Sequence, residues 1–211
     1  MKPLFFICMT LAAISLVFAA SQEYLRTYPD GIPRVKGTML DGKQQGSWSF
    51  WHPNGVKSSE GPYEKGLPAG QWTVWHTNGV KASIGSYKNG REDGIWTSWH
   101  ANGVMSSKGP FKSGLMEGAW TYWHTNATKK SEGSFVKGKK EGLWHEWLLN
   151  GFTSEGSFKN GREQGVWIVR NDKNVVVRNI EFNKGTQIEV TDFVSNLPLN
   201  VTFTPEKKPA Q

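Results

Sequence analysis

Cysteine is almost missing from this 211-residue sequence, where Cys8 stands alone. No disulfide can close within the chain, and no cysteine cage for zinc can be assembled. Cys8 also lies too near the start, and lacks the Leu-Ala/Ser-Gly/Ala lead, to be a lipid attachment site. The motifs that mark common catalytic centres are absent too: there is no Gly-x-Ser-x-Gly elbow, no phosphate-binding loop and no His-Glu-x-x-His pair. Charge is not extreme either. The 25 basic and 18 acidic residues leave a formal net charge of +7, a moderate bias that reads first as a solvated face keeping a sheet soluble.

What the sequence has in abundance is tryptophan. Its 11 tryptophans fall on one frame, Trp48/Trp51, Trp72/Trp75, Trp96/Trp99, Trp120/Trp123, Trp144/Trp147 and then Trp167 alone, with a step of 24 residues shortened once to 23. A fixed period of this length means stacked supersecondary units rather than one irregular core. The unit is complete in residues 46–69 and reads as a β-hairpin: an aromatic strand through His52, a turn, and an alternating strand from Val56 to Tyr63. Asn54-Gly55 predicts a type I′ turn with both residues at positive φ, and Asn78-Gly79, Asn102-Gly103 and Asn150-Gly151 recur in its place. Ala127 breaks the series; its β-carbon disfavours positive φ and points to another turn geometry in that unit. A second connection, Tyr63-x-x-Gly66-x-x-x-Gly70, leads into the next unit.

The frame extends upstream to Tyr24, Gly31, Gly37, Met39 and Gly42, and downstream to Trp167, Phe182 and Gly185, with Arg170 in the place of the second Trp and Asn179 assigned to the mid-strand glycine. Seven tandem units are therefore expected over residues 22–188, with degenerate caps at 22–45 and 165–188. The expected fold is all-β: an elongated, single-layer, twisted antiparallel sheet of 24-residue hairpins, about 65–70 Å long at ~4.8 Å per strand. Within a pair the tryptophans are three apart, so they point to opposite faces and make two columns. Gly61, Gly85, Gly109, Gly133 and Gly156 leave room for a neighbouring ring to lie across the backbone. The Trp48 series persists into both caps and is assigned the packing spine. The series Trp51, Trp75, Trp99, Trp123 and Trp147 ends at Arg170, and is the candidate binding column together with the adjoining ladder His52, His76, His100 and His124.

These residues resemble MORN repeats, in particular the bacterial variant whose units read Gly-x-Trp-x-x-Trp/Tyr-x-x-Asn-Gly and which occurs in antitoxin or immunity-component-like proteins. The resemblance runs over nearly the whole chain after residue 20. It implies the hairpin sheet, and, for function, protein binding, membrane-associated scaffolding or toxin neutralisation.

The amino terminus reads as a secretory signal, residues 1–19, with Lys2 ahead of an apolar Leu4 to Phe18 and a small-residue exit at Ala19. An anchor helix retained at the short limit for a membrane span is the alternative. Cleavage would lower the formal charge to +6 by removing Lys2 from the +7 total, and would place the protein outside the cytoplasm: periplasmic, envelope-associated or secreted. Residues 189–211 read as an extended or disordered tail in which Val190 to Phe193 can pair with the last hairpin.

No enzyme is expected. Successive ladder histidines are roughly 10 Å apart, too far to share a metal with bonds of ~2.0–2.1 Å, and His145 and Glu146, adjacent in a strand, face opposite ways. No metal or cofactor is implied. The candidate partners are a protein engaged along the strip, a cell-wall glycan stacked on the rings, or an anionic lipid surface; nucleic acid is not expected, and oligomeric state stays open.

Overall fold

A computed structural model describes residues 20–194; the expected signal at residues 1–19 and the tail beyond Val194 lie outside the described residues. Those residues form one open antiparallel sheet of 18 strand segments with no helix. In chain order the segments are β1 (Ser21–Thr27), β2 (Pro33–Leu40), β3 (Lys43–Trp51), β4 (Lys57–Glu64), β5 (Leu67–Pro68), β6 (Gly70–Trp75), β7 (Lys81–Lys88), β8 (Arg91–Glu92) and β9 (Gly94–Trp99). They continue as β10 (Met105–Lys112), β11 (Leu115–Met116), β12 (Gly118–Trp123), β13 (Lys129–Val136), β14 (Lys139–Trp147), β15 (Thr153–Lys159), β16 (Arg162–Arg170), β17 (Val176–Asn183) and β18 (Thr186–Asp192). The pairs β5/β6, β8/β9 and β11/β12 are each one strand interrupted at a single residue, Ala69, Asp93 or Glu117, whose N–H still reaches the neighbouring strand at 2.8–3.0 Å. Each strand pairs with the strands before and after it in the chain, so the sheet is a meander of seven hairpins closed by β18.

The turns correct one expectation. Gly55 lies at φ 80°, but Asn54 is not at positive φ, so Asn54-Gly55 is not a type I′ pair. His52 N–H bonds to Val56 O at 2.8 Å and Gly55 N–H to His52 O at 2.9 Å: the loop has three residues, a type I turn followed by one left-handed residue. Asn54 stays right-handed because its carboxamide oxygen accepts the Val56 N–H, 3.2 Å away. The two-residue turns with successive positive φ lie at the opposite end of the hairpins, at Lys65-Gly66, Asn89-Gly90, Ser113-Gly114, Lys137-Gly138 and Asn160-Gly161. Ala127 keeps the common geometry, at φ 68° with its N–H 3.0 Å from His124 O, so its unit has no turn of its own kind.

The core is one face of a single layer. Trp48, Trp72, Trp96, Trp120, Trp144 and Trp167 are all buried, each laid over a glycine of the preceding strand. A β-carbon at Gly37, Gly61, Gly85, Gly109, Gly133 or Gly156 would overlap the indole of the following Trp, so glycine there makes the close approach of ring to backbone possible. Between successive indoles stands a Tyr or Phe at right angles. Phe111, for example, lies 6.0 Å from Trp96 at 76° and 5.1 Å from Trp120 at 90°, and the alternation runs from Trp48 through Tyr63, Tyr87, Phe135 and Phe158 to Phe182. Edge-to-face geometry is the favoured one for quadrupolar rings. The indole N–H groups of Trp72, Trp96, Trp120 and Trp144 each donate to a carbonyl ten residues back, at 3.0–3.3 Å.

The far end differs from expectation by one residue. Register opposes Trp167 to Ile180, as it opposes Trp48 to Gly61, so Ile180 and not Asn179 holds the glycine place. With no further indole to admit, a buried isoleucine is accommodated there. Val190 lies opposite it in β18, and an Arg178–Asp192 ion pair fastens that edge strand, with Arg178 holding the Asp192 carboxyl below its ordinary pKa.

Candidate functional site

The opposite face carries the second tryptophan column. Trp51, Trp75, Trp99, Trp123 and Trp147 are half-buried rather than enclosed, because the turn-side end of each hairpin has no crossed aromatic partner over it. Over three of the five rings lies lysine. Lys57 Nζ is 5.7 Å from the Trp75 ring centroid, Lys81 5.5 Å from Trp99, and Lys129 5.4 Å from Trp147. Each lysine leans across to the ring 18 residues later, in the next hairpin, a distance at which ammonium and ring quadrupole attract. Met105 takes the lysine place before Trp123, and Thr153 takes it before Arg170.

The ladder histidines line the margin of this column, and one nitrogen of each is already engaged. Nε2 of His52, His76, His100 and His124 lies 2.8–2.9 Å from the carbonyl oxygen of Trp75, Trp99, Trp123 and Trp147 respectively. A carbonyl only accepts, so Nε2 donates and carries the hydrogen. Tyr28, in the same frame position of the first unit, donates its hydroxyl to Trp51 O at 2.8 Å. Asn54, Asn78 and Asn102 add a parallel row, donating to the carbonyls of Thr77, Ala101 and Thr125 at 2.7–2.8 Å. The histidines thus stitch each hairpin to the next, and the column and ladder together form one continuous margin of the sheet.

His145 lies outside the ladder, on the second face. Register sets it between Glu132 and Glu155. Its Nε2 is 3.2 Å from Glu155, whose other oxygen is 3.4 Å from Arg170, while Glu146 points to the other face and is 3.4 Å from the buried Ser154 hydroxyl. The two side chains therefore face opposite ways, as expected of neighbours in a strand. A shallow concavity is lined there by His145, Trp147, Thr153, Glu155, Arg170 and Asn174. It exists because Thr153 is too short to fill the gap that lysine fills in other units. Its charged groups neutralise one another, and among the described residues no cluster of three His, Cys, Asp or Glu side chains is suited to a metal.

The recurrence of Lys57, Lys81 and Lys129 at one strand position, interrupted by Met105, is visible in the sequence and reads there as a solvated face; that these lysines lie over the rings of the next hairpin is not visible there, and only strand pairing brings the two together. Residues 44–65, 69–89 and 92–113 match a known family, the MORN repeat variant. No curated protein matches the chain.

Proposed function

The chain is a MORN-variant repeat protein, and from that premise we propose that it is an exported, non-enzymatic scaffold that binds a protein partner along the second tryptophan column. MORN repeats often mediate binding to proteins or membranes. The observation that carries the reading is the unequal use of the two columns: the Trp48 series is spent on the sheet's own packing, whereas Trp75, Trp99 and Trp123 stay half-buried on the other face at a regular step. A long partner spanning several units gains several similar contacts. The lysines over three of the rings favour a partner with acidic and apolar groups over a sugar stacked on bare indole. An antitoxin or immunity-like role is one form such a scaffold takes.

The test uses a partner captured by crosslinking to the full chain. In-frame excision of one central unit, residues 94–117, should leave a folded sheet yet weaken capture more than Trp99→Ala alone. Unchanged capture would place the contact at the ends of the array. Export is tested by fractionation and amino-terminal sequencing, which should find a mature chain starting after Ala19 outside the cytoplasm; a cytoplasmic chain starting at Met1 would refute it.

A further inference from the structure

The repeats are alike in backbone but not in how their charges are settled. In β4 and β13 the lysine on the second face has a glutamate three residues later, and both pairs close: Lys57 with Glu60, and Lys129 with Glu132 at 2.7 Å. Towards the last cap the line continues through His145, Glu155 and Arg170, again self-neutralised. Between these two stretches the pattern changes. Lys81 is followed by Ile84 in the glutamate place; in the next unit Met105 stands in the lysine place and Lys108 in the glutamate place. Lys81 and Lys108 are both exposed, and among the described residues neither has an ion-pair partner.

Register fixes where these groups stand. Lys108 lies between Thr97 of β9 and Thr121 of β12, and Ile84 opposite Thr97 on the other side. Lys81 leans over Trp99 from β7. The backbones of Lys81 and Lys108 thus stand on either side of the Trp99 strand, two strand spacings or roughly 10 Å apart across the sheet, and neither ammonium group is paired with a carboxylate. Met105 leaves Trp123 without the ammonium that covers its counterparts, so apolar surface opens beside the charges. From Ile84 to Thr121 the row contains no carboxylate. We propose that this central patch, Lys81, Trp99, Met105, Lys108 and Trp123, is the docking site for an extended polypeptide segment one face of which, made by every second residue, carries acidic and apolar side chains in turn. This rests on the reading of the second face as the binding face, and adds to it the location and the chemistry of the partner.

Charge complementarity selects that occupant. An extended chain advances ~3.4 Å per residue and turns every second side chain to one face, so carboxylates four positions apart reach both ammonium groups while the apolar side chain midway between them, on the same face, meets Trp99 and Met105. Elsewhere along the strip Lys57, Lys129 and Arg170 are already paired with Glu60, Glu132 and Glu155 and attract such a partner less, which sets the register of docking.

The experiment measures anisotropy of a short fluorescein-labelled peptide of repeating Glu-Ser-Leu-Ser, in which glutamate and leucine share one face of the extended chain, titrated with the full chain. Lys81→Gln with Lys108→Gln should weaken binding by about tenfold or more. A charge-matched control, Lys139→Gln with Lys159→Gln, exposed lysines near the far ends of β14 and β15, should stay within about twofold. Equal losses in the two double variants would reduce the attraction to net charge and overturn the proposal. So would phosphatidylglycerol vesicles bound with the same lysine dependence while the peptide is not, which would assign the patch to a membrane surface. The underlying reading is judged separately on the crosslinked partner: dependence on Trp99 without dependence on Lys81 and Lys108 defeats the acidic segment and leaves the face, whereas dependence on neither defeats both.

Discussion

Trp96 and Trp99 lie three residues apart in β9, yet their surroundings differ in kind. Trp96 is 9% exposed, crossed by Tyr87 and Phe111 and bonded to Ser86 O, whereas Trp99 is half-buried under one lysine. Trp96→Ala should cost about 3–5 kcal/mol, and Trp99→Ala clearly less, on the order of 1–2 kcal/mol. Urea denaturation of the two variants measures this, and equal losses would mean that the second column is packed as firmly as the first. Tyr63 and Tyr87 offer a second test. Burial pushes both phenols above their ordinary pKa; Glu92 adds to the rise at Tyr87, and a hydrogen bond with Gln44 opposes it at Tyr63. A pKa raised in the folded state leaves stability intact below the unfolded value of about 10 and erodes it as pH climbs through the folded values. Phenylalanine fills the same slot at Phe111, Phe135 and Phe158, so Tyr63→Phe with Tyr87→Phe should flatten the alkaline decline in Tm without lowering it at neutral pH. An identical decline in the wild type and the double variant would exclude these phenols as its source. The division between spine and open column was legible in the sequence from the loss of Trp at Arg170. The lysine caps were not, because Lys81 and Trp99 belong to different hairpins and only pairing brings them together.

At the level of the hairpin, turn chemistry was legible in position and misread in type. Asn54-Gly55 carries the strongest short hairpin signal, but three residues separate His52 from Val56, and loop length decides the turn. The two-residue turns carry that same signal at Asn89-Gly90 and Asn160-Gly161, but Lys65-Gly66, Ser113-Gly114 and Lys137-Gly138 carry a weaker one because only their second residue announces positive φ. Ala127 gives the measurable case. Held at φ 68° in the left-handed slot that glycine fills in most units, it stores strain that Ala127→Gly relieves, against an unfolded-state entropy cost of about 0.4–1 kcal/mol. The variant should be neutral or more stable by up to about 1 kcal/mol. A clear loss of stability in thermal melts would show that the alanine methyl makes a contact that outweighs its strain. The shift from Asn179 to Ile180 comes from the shortened 23-residue step, which taken from Gly156 lands on Asn179, whereas pairing with Trp167 selects Ile180.

Across the whole molecule, the array was legible from period alone, because every unit repeats the same burial problem and solves it against its neighbour. Its ends are chemically weaker than its middle. The indole N–H groups of Trp48 and Trp167 lack the carbonyl acceptor that the four central indoles have, and β18 is exposed along its length. The meander also has a mechanical consequence. Since every strand is bonded only to the strands next to it in the chain, a load applied between the two termini falls on one edge ladder at a time, and the sheet should open like a zip rather than shear as a block. Each hairpin that peels away frees about 24 residues, on the order of 80 Å of contour at ~3.4 Å per residue. Stretched in an optical trap, the chain should lengthen in a low-force series of nearly equal steps, whereas a single large rupture would mean that the hairpins yield together. Tethered at both ends, such a protein would pay out length in instalments while its remaining units stay folded.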